Sequence, residues 1–333
     1  MRRLTVLFVA LAVAVLAAGC GERKENLGPS GERKLELMLD WVPNPDHAGI
    51  YAAEGSGYFK GVDLNLAIRT PADPSAPIKQ VAAGRVDLAI SYEPEVLRAR
   101  DLGSKVVSVA AVVPKPLTSV ISLPPNDVPN ASALRGKTVG TAGIDYQDAF
   151  LDAMLRRANI DPADVKRRNV GFDLQKALLT KRVDATLGGF ANVEVVDLEL
   201  KRKNPTHFTV DEAGIPPYDE LVLVTSEDTL ARKRDEIRSF LGAMARGTEL
   251  AVRDPATAAG FLSRANRELD PKLLREGTAR TPFDKPGGRP FGYQDPAQWD
   301  RFAAFMRDAG ILKKAPDARS AFTNDLLPGG GLG

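Results

Sequence analysis

Gln80-Val-Ala-Ala-Gly-Arg-Val-Asp-Leu-Ala-Ile-Ser91 is echoed later in the chain by Lys176-Ala-Leu-Leu-Thr-Lys-Arg-Val-Asp-Ala-Thr-Leu187. In each copy a helical run ends in a basic residue, Val-Asp follows, and an apolar strand leads to polar residues. Self-similarity within one chain is the mark of repeated structure, so the pair predicts two similar lobes. Working outward from the first copy, Leu35–Leu39 is a short apolar run, His47 to Glu54 reads as helix and Asp63 to Ile68 alternates as DLNLAI. Ile78 to Ala83 is helical and closed by Gly84, and Val86 to Ile90 is a buried strand. Strands and helices in alternation give an α/β fold, each lobe a mostly parallel sheet flanked by helices.

Around the second copy the rhythm restarts. A strand is expected at Lys137 to Thr141, helices at Asp145 to Ala158 and Leu174 to Thr180, and a strand at Val183 to Leu187. Leu117 to Leu123 (LTSVISL) and Leu221 to Thr225 (LVLVT) read as strand-like crossovers between the lobes. Beyond Thr225 the chain is helical: Thr225-x-x-Asp228 reads as a capping box for a long helix to about Arg253, Asp254-Pro255 opens another, and Asp295-Pro296 starts a helix over Ala297 to Ala309 ended by Gly310. Pro282 to Tyr293 reads as loop and Pro328 to Gly333 as a disordered tail. The expected organisation is a signal peptide over 1–19, a lipidated cysteine and tether over 20–34, lobe 1 over 35–118 plus 224–333, and lobe 2 over 119–223.

The first twenty residues carry the address. Arg2 and Arg3 precede Leu4 to Ala18, apolar except for Thr5, and the run ends in Ala17, Ala18, Gly19 and Cys20. This is the layout of a signal peptide, too short for the roughly 20 residues a membrane-crossing helix needs. Leu16-Ala17-Ala18-Gly19-Cys20 resembles a lipobox, whose cysteine would carry the acyl chains that hold a water-soluble fold to the outer face of a membrane. Gly21 to Lys34 (GERKENLGPSGERK) then reads as a flexible tether.

Of 333 residues, 44% are hydrophobic and 26% charged, which excludes disorder and collagen. Lys and Arg total 45 against 43 Asp and Glu, so loss of Arg2 and Arg3 with the signal peptide leaves a neutral chain with no polybasic surface for nucleic acid. One cysteine and two histidines, His47 and His207, cannot build a disulfide framework or a Cys/His zinc site. Ala131-Ser-Ala-Leu-Arg-Gly-Lys-Thr138 approaches a phosphate-binding loop, but Ala131 replaces its first glycine and the stretch leads into a strand. No catalytic residue, metal or cofactor is expected.

Ligands of open α/β sheets sit beyond the carboxyl ends of the strands. The loops there carry Asp40, Trp41, Asn44 and His47 after the first strand, Ser91, Tyr92 and Glu93 after Val86 to Ile90, and Thr141 and Tyr146 at the start of lobe 2. Phe190, Asn192 and Glu194 follow Val183 to Leu187, and Tyr218 and Asp219 precede the second crossover. Five aromatics in five such loops (Trp41, Tyr92, Tyr146, Phe190 and Tyr218) favour a flat ligand, since stacking adds roughly 0.5 to 1.5 kcal/mol per ring pair. Asp40, Glu93, Glu194 and Asp219 with almost no Lys or Arg favour a ligand rich in hydrogen-bond donors over a sulfonate, nitrate or phosphate.

Asp40-Trp41-x-Pro43-Asn44-x-x-His47-x-Gly49-x-Tyr51, Gly57-Tyr58-Phe59, Val81-Ala-x-Gly84-x-Val86-Asp87, Gly188-Gly189-Phe190-x-Asn192-x-Glu194 and Pro217-Tyr218-x-Glu220 resemble the periplasmic-binding-protein relatives of the thiamine pyrimidine synthases. The resemblance runs from Leu35 to about Leu312, with Phe291-Gly-Tyr-Gln294 and Trp299 matching the family's C-terminal part. It implies a type II periplasmic-binding-protein fold, two lobes closing on a ligand about a two-strand hinge. It also implies a monomeric lipoprotein that passes a pyrimidine precursor of thiamine to an ABC permease and its ATPase. Eukaryotic synthases of this resemblance use a lysine and a histidine after the Val-Asp strand and a cysteine-rich segment. Ser91 and Glu95 stand at those positions and the crossover Leu221 to Thr225 has no cysteine, which removes the means of holding pyridoxal phosphate. Riboflavin or an alkylsulfonate is the alternative ligand, and a pyrimidine-forming enzyme the alternative class.

Overall fold

The computed structural model describes residues 33–283, 288–314 and 317–331. The expected signal peptide, Cys20 and most of the tether lie outside the described residues. The strands are β1 (Arg33–Met38), β2 (Leu64–Arg69), β3 (Leu88–Ser91), β4 (Val106–Val113), β5 (Thr118–Ser122), β6 (Thr138–Thr141), β7 (Lys166–Asn169), β8 (Ala185–Phe190), β9 (Thr206–Thr209) and β10 (Leu221–Ser226). They form two five-stranded sheets in the orders β2-β1-β3-β10-β4 and β7-β6-β8-β5-β9. The helices are α1 (Ala48–Gly55), α2 (Ala76–Ala82), α3 (Glu93–Asp101), α4 (Asp145–Arg157), α5 (Leu174–Leu179), α6 (Glu194–Leu200), α7 (Glu227–Arg232), α8 (Arg234–Arg253), α9 (Pro255–Ala265), α10 (Pro271–Arg280) and α11 (Pro296–Asp308). Among the described residues no helix is long and apolar enough to cross a membrane.

The sheets repeat one plan. β1 runs parallel to β2 and β3, and β6 parallel to β7 and β8; β10 and β5, each entering from the other lobe, lie antiparallel to β3 and β8. The twin sequence stretches have twin geometry. Gly84 (φ 65°) and Lys181 (φ 56°) take the same left-handed conformation two residues before Val-Asp. Asp87 Oδ2 then accepts the Glu36 N–H (3.0 Å) and Asp184 Oδ2 the Thr138 N–H (2.8 Å), so each aspartate closes the entry of the neighbouring parallel strand. The strands themselves therefore begin after Val-Asp, at Leu88 and Ala185, later than the sequence pattern suggests.

The crossovers are pinned to each other by one buried carboxylate. Glu220 Oε2 accepts the N–H groups of Leu117 (2.6 Å) and Thr118 (2.7 Å), and its Oε1 the Thr118 hydroxyl (2.8 Å). Burial raises its pKa to about 7 against the lowering effect of those donors.

Four expectations need correction. Arg33 and Lys34, read as tether, belong to β1. The long helix after Thr225 is broken into α7 and α8 at Lys233 (φ −119°, ψ 33°), whose ammonium reaches Asp87 Oδ2 (2.8 Å) and Lys34 O (3.1 Å). Its N-cap is Ser226, accepting the Thr229 N–H at 3.1 Å, because the Thr225 hydroxyl is spent on Asp87 O (2.7 Å). Pro328–Gly331, read as disordered, forms a 3₁₀ turn after the buried Leu326 and Leu327. α3, α10, β4, β7 and β9 were not anticipated. α8 packs against α1 at contact distance, since a Cβ on Gly247 would lie 2.1 Å from Gly49 O.

Candidate functional site

Between the carboxyl ends of β1 and β3 in one lobe and β8 in the other lies a small cavity. Asp40, Trp41, Asn44 and Tyr92 line it from the first lobe, and Gly188, Phe190, Val193 and Glu194 from the second. Among the described residues neither Lys nor Arg reaches this lining. The free space between the lining residues is about 10 Å³, room for one water, so a ring enters only when the lobes part.

Asp40 is the organised carboxylate. Asn44, the N-cap of the 3₁₀ turn Pro45–His47, gives its backbone N–H to His47 Nδ1 (3.1 Å). That acceptor role fixes the His47 proton on Nε2, which donates to Asp40 Oδ1 at 2.9 Å. Tyr92 donates its hydroxyl to Asp40 Oδ2 at 2.9 Å. Burial, and next the Asp40 charge, holds the Tyr92 pKa well above 10, so it remains a donor. His47 is fully buried and supports Asp40 from behind the cavity.

Glu194 opens α6 and folds back so that Oε2 accepts the Phe190 N–H at 2.7 Å. Burial pushes its pKa up to about 7, the Phe190 amide opposing the shift. Gly188 carries φ 116°, and a Cβ there would sit 2.4 Å from Gln147 Nε2, so the β8 end needs glycine to meet the cavity. Phe172, which sequence reasoning missed, meets Trp41 edge to face from the opposite lobe.

Six of the expected residues line the cavity: Asp40, Trp41, Asn44, Tyr92, Phe190 and Glu194. The rest are placed elsewhere. The Ser91 hydroxyl donates to Glu95 Oε2 (2.5 Å) below the site. Glu93 Oε2 accepts the Asp219 N–H and Gln298 Nε2, both at 2.7 Å, while Asp219 Oδ2 accepts Trp299 Nε1 (3.0 Å). These two carboxylates knit the second crossover to α11, and their charge is turned away from the cavity. Tyr218 stacks on Phe302 (centroids 4.9 Å) and donates to Glu220, joining Phe150 in an aromatic core between the lobes. Tyr146 packs on Phe150 (5.0 Å) and lines a separate outer groove of about 410 Å³ between α2, α3 and α4. Thr141 is buried at the end of β6, outside the lining. Asn192 faces Asp46 and Thr281 at the flank. Among the described residues no group of three or more His, Cys, Asp or Glu is placed to hold a metal ion.

Known proteins resemble this chain in sequence and in fold. A formylaminopyrimidine-binding protein of Halalkalibacterium halodurans is 32% identical over 95% of this chain and 97% of its own length. A 4-amino-5-hydroxymethyl-2-methylpyrimidine phosphate synthase of Legionella pneumophila is 27% identical over 89% and 92%. The fold matches the alkanesulfonate-binding protein SsuA of Xanthomonas axonopodis with a TM-score of 0.70 at 14% identity, covering 87% of this chain and 97% of that one. This is the two-lobed α/β fold of periplasmic binding proteins. The family model described as NMT1/THI5 like matches residues 44–258, from the Asn44 cap through the cavity and both crossovers, and the chain belongs to that family.

Proposed function

We propose that this protein is the substrate-binding component of an ABC importer and that it captures an aminopyrimidine precursor of thiamine between its lobes. The carrying observation is the lining: the carboxylates Asp40 and Glu194 on either side of a small cavity, with Trp41, Tyr92 and Phe190 and, among the described residues, no cation. An aminopyrimidine presents a flat ring to the aromatics and an N–C–NH₂ edge to a carboxyl group. A hydrogen bond to a charged group contributes about 1.5–3 kcal/mol. The name of the Halalkalibacterium relative supports the same ligand class. A sulfonate would meet two acidic groups with no described cation to compensate them.

In this reading the chain is extracytoplasmic, anchored through Cys20 and monomeric, and it delivers its ligand to a permease and its ATPase. It performs no chemistry. Ser91 and Glu95, at the positions of the synthases' lysine and histidine, are engaged with each other, and burial holds Glu95 up at a pKa of about 8. The name of the Legionella relative keeps the synthase reading as the competitor. A thermal-shift panel on the chain from Gly21 onward, with aminopyrimidines, thiamine, riboflavin, taurine and pyridoxal phosphate, tests both. Ligand at a hundred times its dissociation constant adds about 2.7 kcal/mol, a shift of several degrees. A shift with aminopyrimidines supports import; an imine absorbance with pyridoxal phosphate supports the synthase.

A further inference from the structure

Asp46 and Asn192 meet across the cleft. Asp46 lies in the 3₁₀ turn after β1, and Asn192 lies between β8 and α6 of the other lobe. Both side chains are buried, exposed by 1% and 2%. Asn192 Nδ2 donates to Asp46 Oδ1 at 2.6 Å and to Thr281 Oγ1 at 2.7 Å. The Thr281 hydroxyl proton is available to Gly277 O (3.0 Å) or to Asp46 Oδ1 (3.3 Å). Among the described residues two buried oxygens then remain without a partner, Asp46 Oδ2 and Asn192 Oδ1. They sit on the two planar groups that the 2.6 Å bond already joins. Leaving both orphaned costs the desolvation of each, whereas one added proton pairs them.

We propose that Asp46 closes onto Asn192 as a neutral carboxylic acid, its Oδ2–H donating to Asn192 Oδ1 to complete a reciprocal acid–amide pair that latches the lobes. The proton comes from solvent as the lobes shut and returns to it as they part. Asp46 is thus a positioning residue that acts on ligand through lobe closure, and the role in capture rests on the import reading above.

The surroundings favour the neutral form. Burial raises the Asp46 pKa to about 8, with Asp40 and Glu194 adding to the rise and the Asn192 and Thr281 hydrogen bonds opposing it. Among the described residues the cations on neighbouring elements are engaged or remote. On α10, Arg280 pairs with Glu199, Arg275 with Glu276, and Lys272 is exposed. On α9, Arg264 lies over the Phe261 ring. α1 contributes only Glu54, and Asp197 of α6 is held by Lys201. His47 spends both ring nitrogens on Asn44 and Asp40.

An open cleft returns Asp46 to water and to an ordinary carboxylate range, so closure takes up a proton between about pH 4 and 8. Through this group the affinity for a captured ligand falls with rising pH by up to tenfold per unit, and levels off above about 8. D46N supplies the decisive comparison, because a side-chain amide in place of the acid keeps both hydrogen bonds to Asn192 without a titrating proton. Calorimetry with 4-amino-5-hydroxymethyl-2-methylpyrimidine, in buffers of differing ionisation enthalpy, should show proton uptake near pH 7 that is smaller by about one proton in D46N. Asp46→Ala should weaken binding at every pH. Equal uptake in wild type and D46N, or D46N binding as poorly as Asp46→Ala at pH 6, overturns the latch.

If the pyrimidine gives no heat, the import reading fails, and the latch is still read from ligand-free protein. Small-angle scattering should show a smaller radius of gyration at pH 5 than at pH 8 in the wild type, since protonated Asp46 favours the closed form, and no such change in D46N. A wild-type radius that does not respond to pH, or an equal response in D46N, overturns the proposal.

Discussion

Trp41 and Phe172 meet edge to face with ring centroids 4.5 Å apart and planes at 82°, and they belong to different lobes. Both rings are half-buried. Trp41 also lines the cavity, so the pair forms part of its wall only when the lobes are together. Phe172→Ala should therefore speed ligand release while changing association little. An aromatic pair contributes about 0.5–1.5 kcal/mol beyond burial, which sets a roughly two- to twelvefold rise in off-rate. Stopped-flow following Trp41 fluorescence measures it, and an unchanged off-rate would remove Phe172 from closure.

Glu194→Ala should weaken pyrimidine binding at least tenfold with the melting temperature of the ligand-free protein nearly preserved. The carboxyl group reaches the cavity, and its backbone donors are local, the Phe190 N–H and its own. Titration calorimetry beside a thermal melt separates the two effects. Undiminished affinity would exclude Glu194 from ligand recognition.

His47→Ala is expected to act without touching the ligand. It strips the Asp40 carboxylate of a 2.9 Å donor and leaves the Asn44 N–H unsatisfied in a buried turn. Each loss costs about 1–3 kcal/mol, so both stability and affinity should fall. His47→Gln, whose amide supplies a donor and an acceptor, should recover part of both. Equal behaviour of the two variants in denaturant melts and calorimetry would contradict the role assigned to the Nε2 proton.

The repeat over Gln80–Ser91 and Lys176–Leu187 made the two-lobed plan legible, because Val-Asp serves one purpose in both lobes, closing a strand entry through Asp87 and Asp184. Edge strands were another matter. β7 is Lys-Arg-Arg-Asn, exposed at every residue, and carries no hydrophobic period to read. Within the site, position after a strand picked out Asp40, Trp41, Tyr92 and Phe190, but it could not say which way a side chain turns. Tyr218 and Asp219, picked out because they precede the second crossover, face α11, whose Phe302 and Trp299 lie far along the chain. Asp46 and Phe172 were missed because the partners that define them, Asn192 and Trp41, belong to the other lobe.

Stability should decline as pH rises from about 5 to 8. Burial lifts Asp46 and Glu95 to about 8 and Glu194 and Glu220 to about 7. Over that interval the folded chain binds more protons than the unfolded one. The slope of unfolding free energy with pH is therefore negative, and it flattens once all four carboxyls are ionised in both states. Asp101 and Asp254, whose pKa values are lowered, act in the opposite sense but only at more acidic pH. Thermal melts of ligand-free protein from pH 5 to 9 should fall by several degrees to a plateau near 8. A melting temperature that climbs across this range would contradict the burial of these groups.

Gly277 shows how closely the lobes approach on the Asp46 flank. A Cβ on this α10 residue would lie 2.4 Å from Pro45 Cγ and 2.7 Å from Asn192 O. Neither neighbour yields cheaply, for Pro45 is the first residue of a capped turn and the Asn192 oxygen is backbone of the opposite lobe. Gly277→Ala gains helix propensity of about 1 kcal/mol within α10, so a simple helix effect predicts a more stable protein. The added methyl instead acts as a wedge in the closed form and is relieved when the lobes part. The expected result is a lower affinity, with a larger radius of gyration by small-angle scattering in saturating ligand than the wild type shows. Wild-type affinity and closure in Gly277→Ala would mean that Asn192 can withdraw without cost, and the contact between α10 and the second lobe would then lose its part in holding the cavity shut.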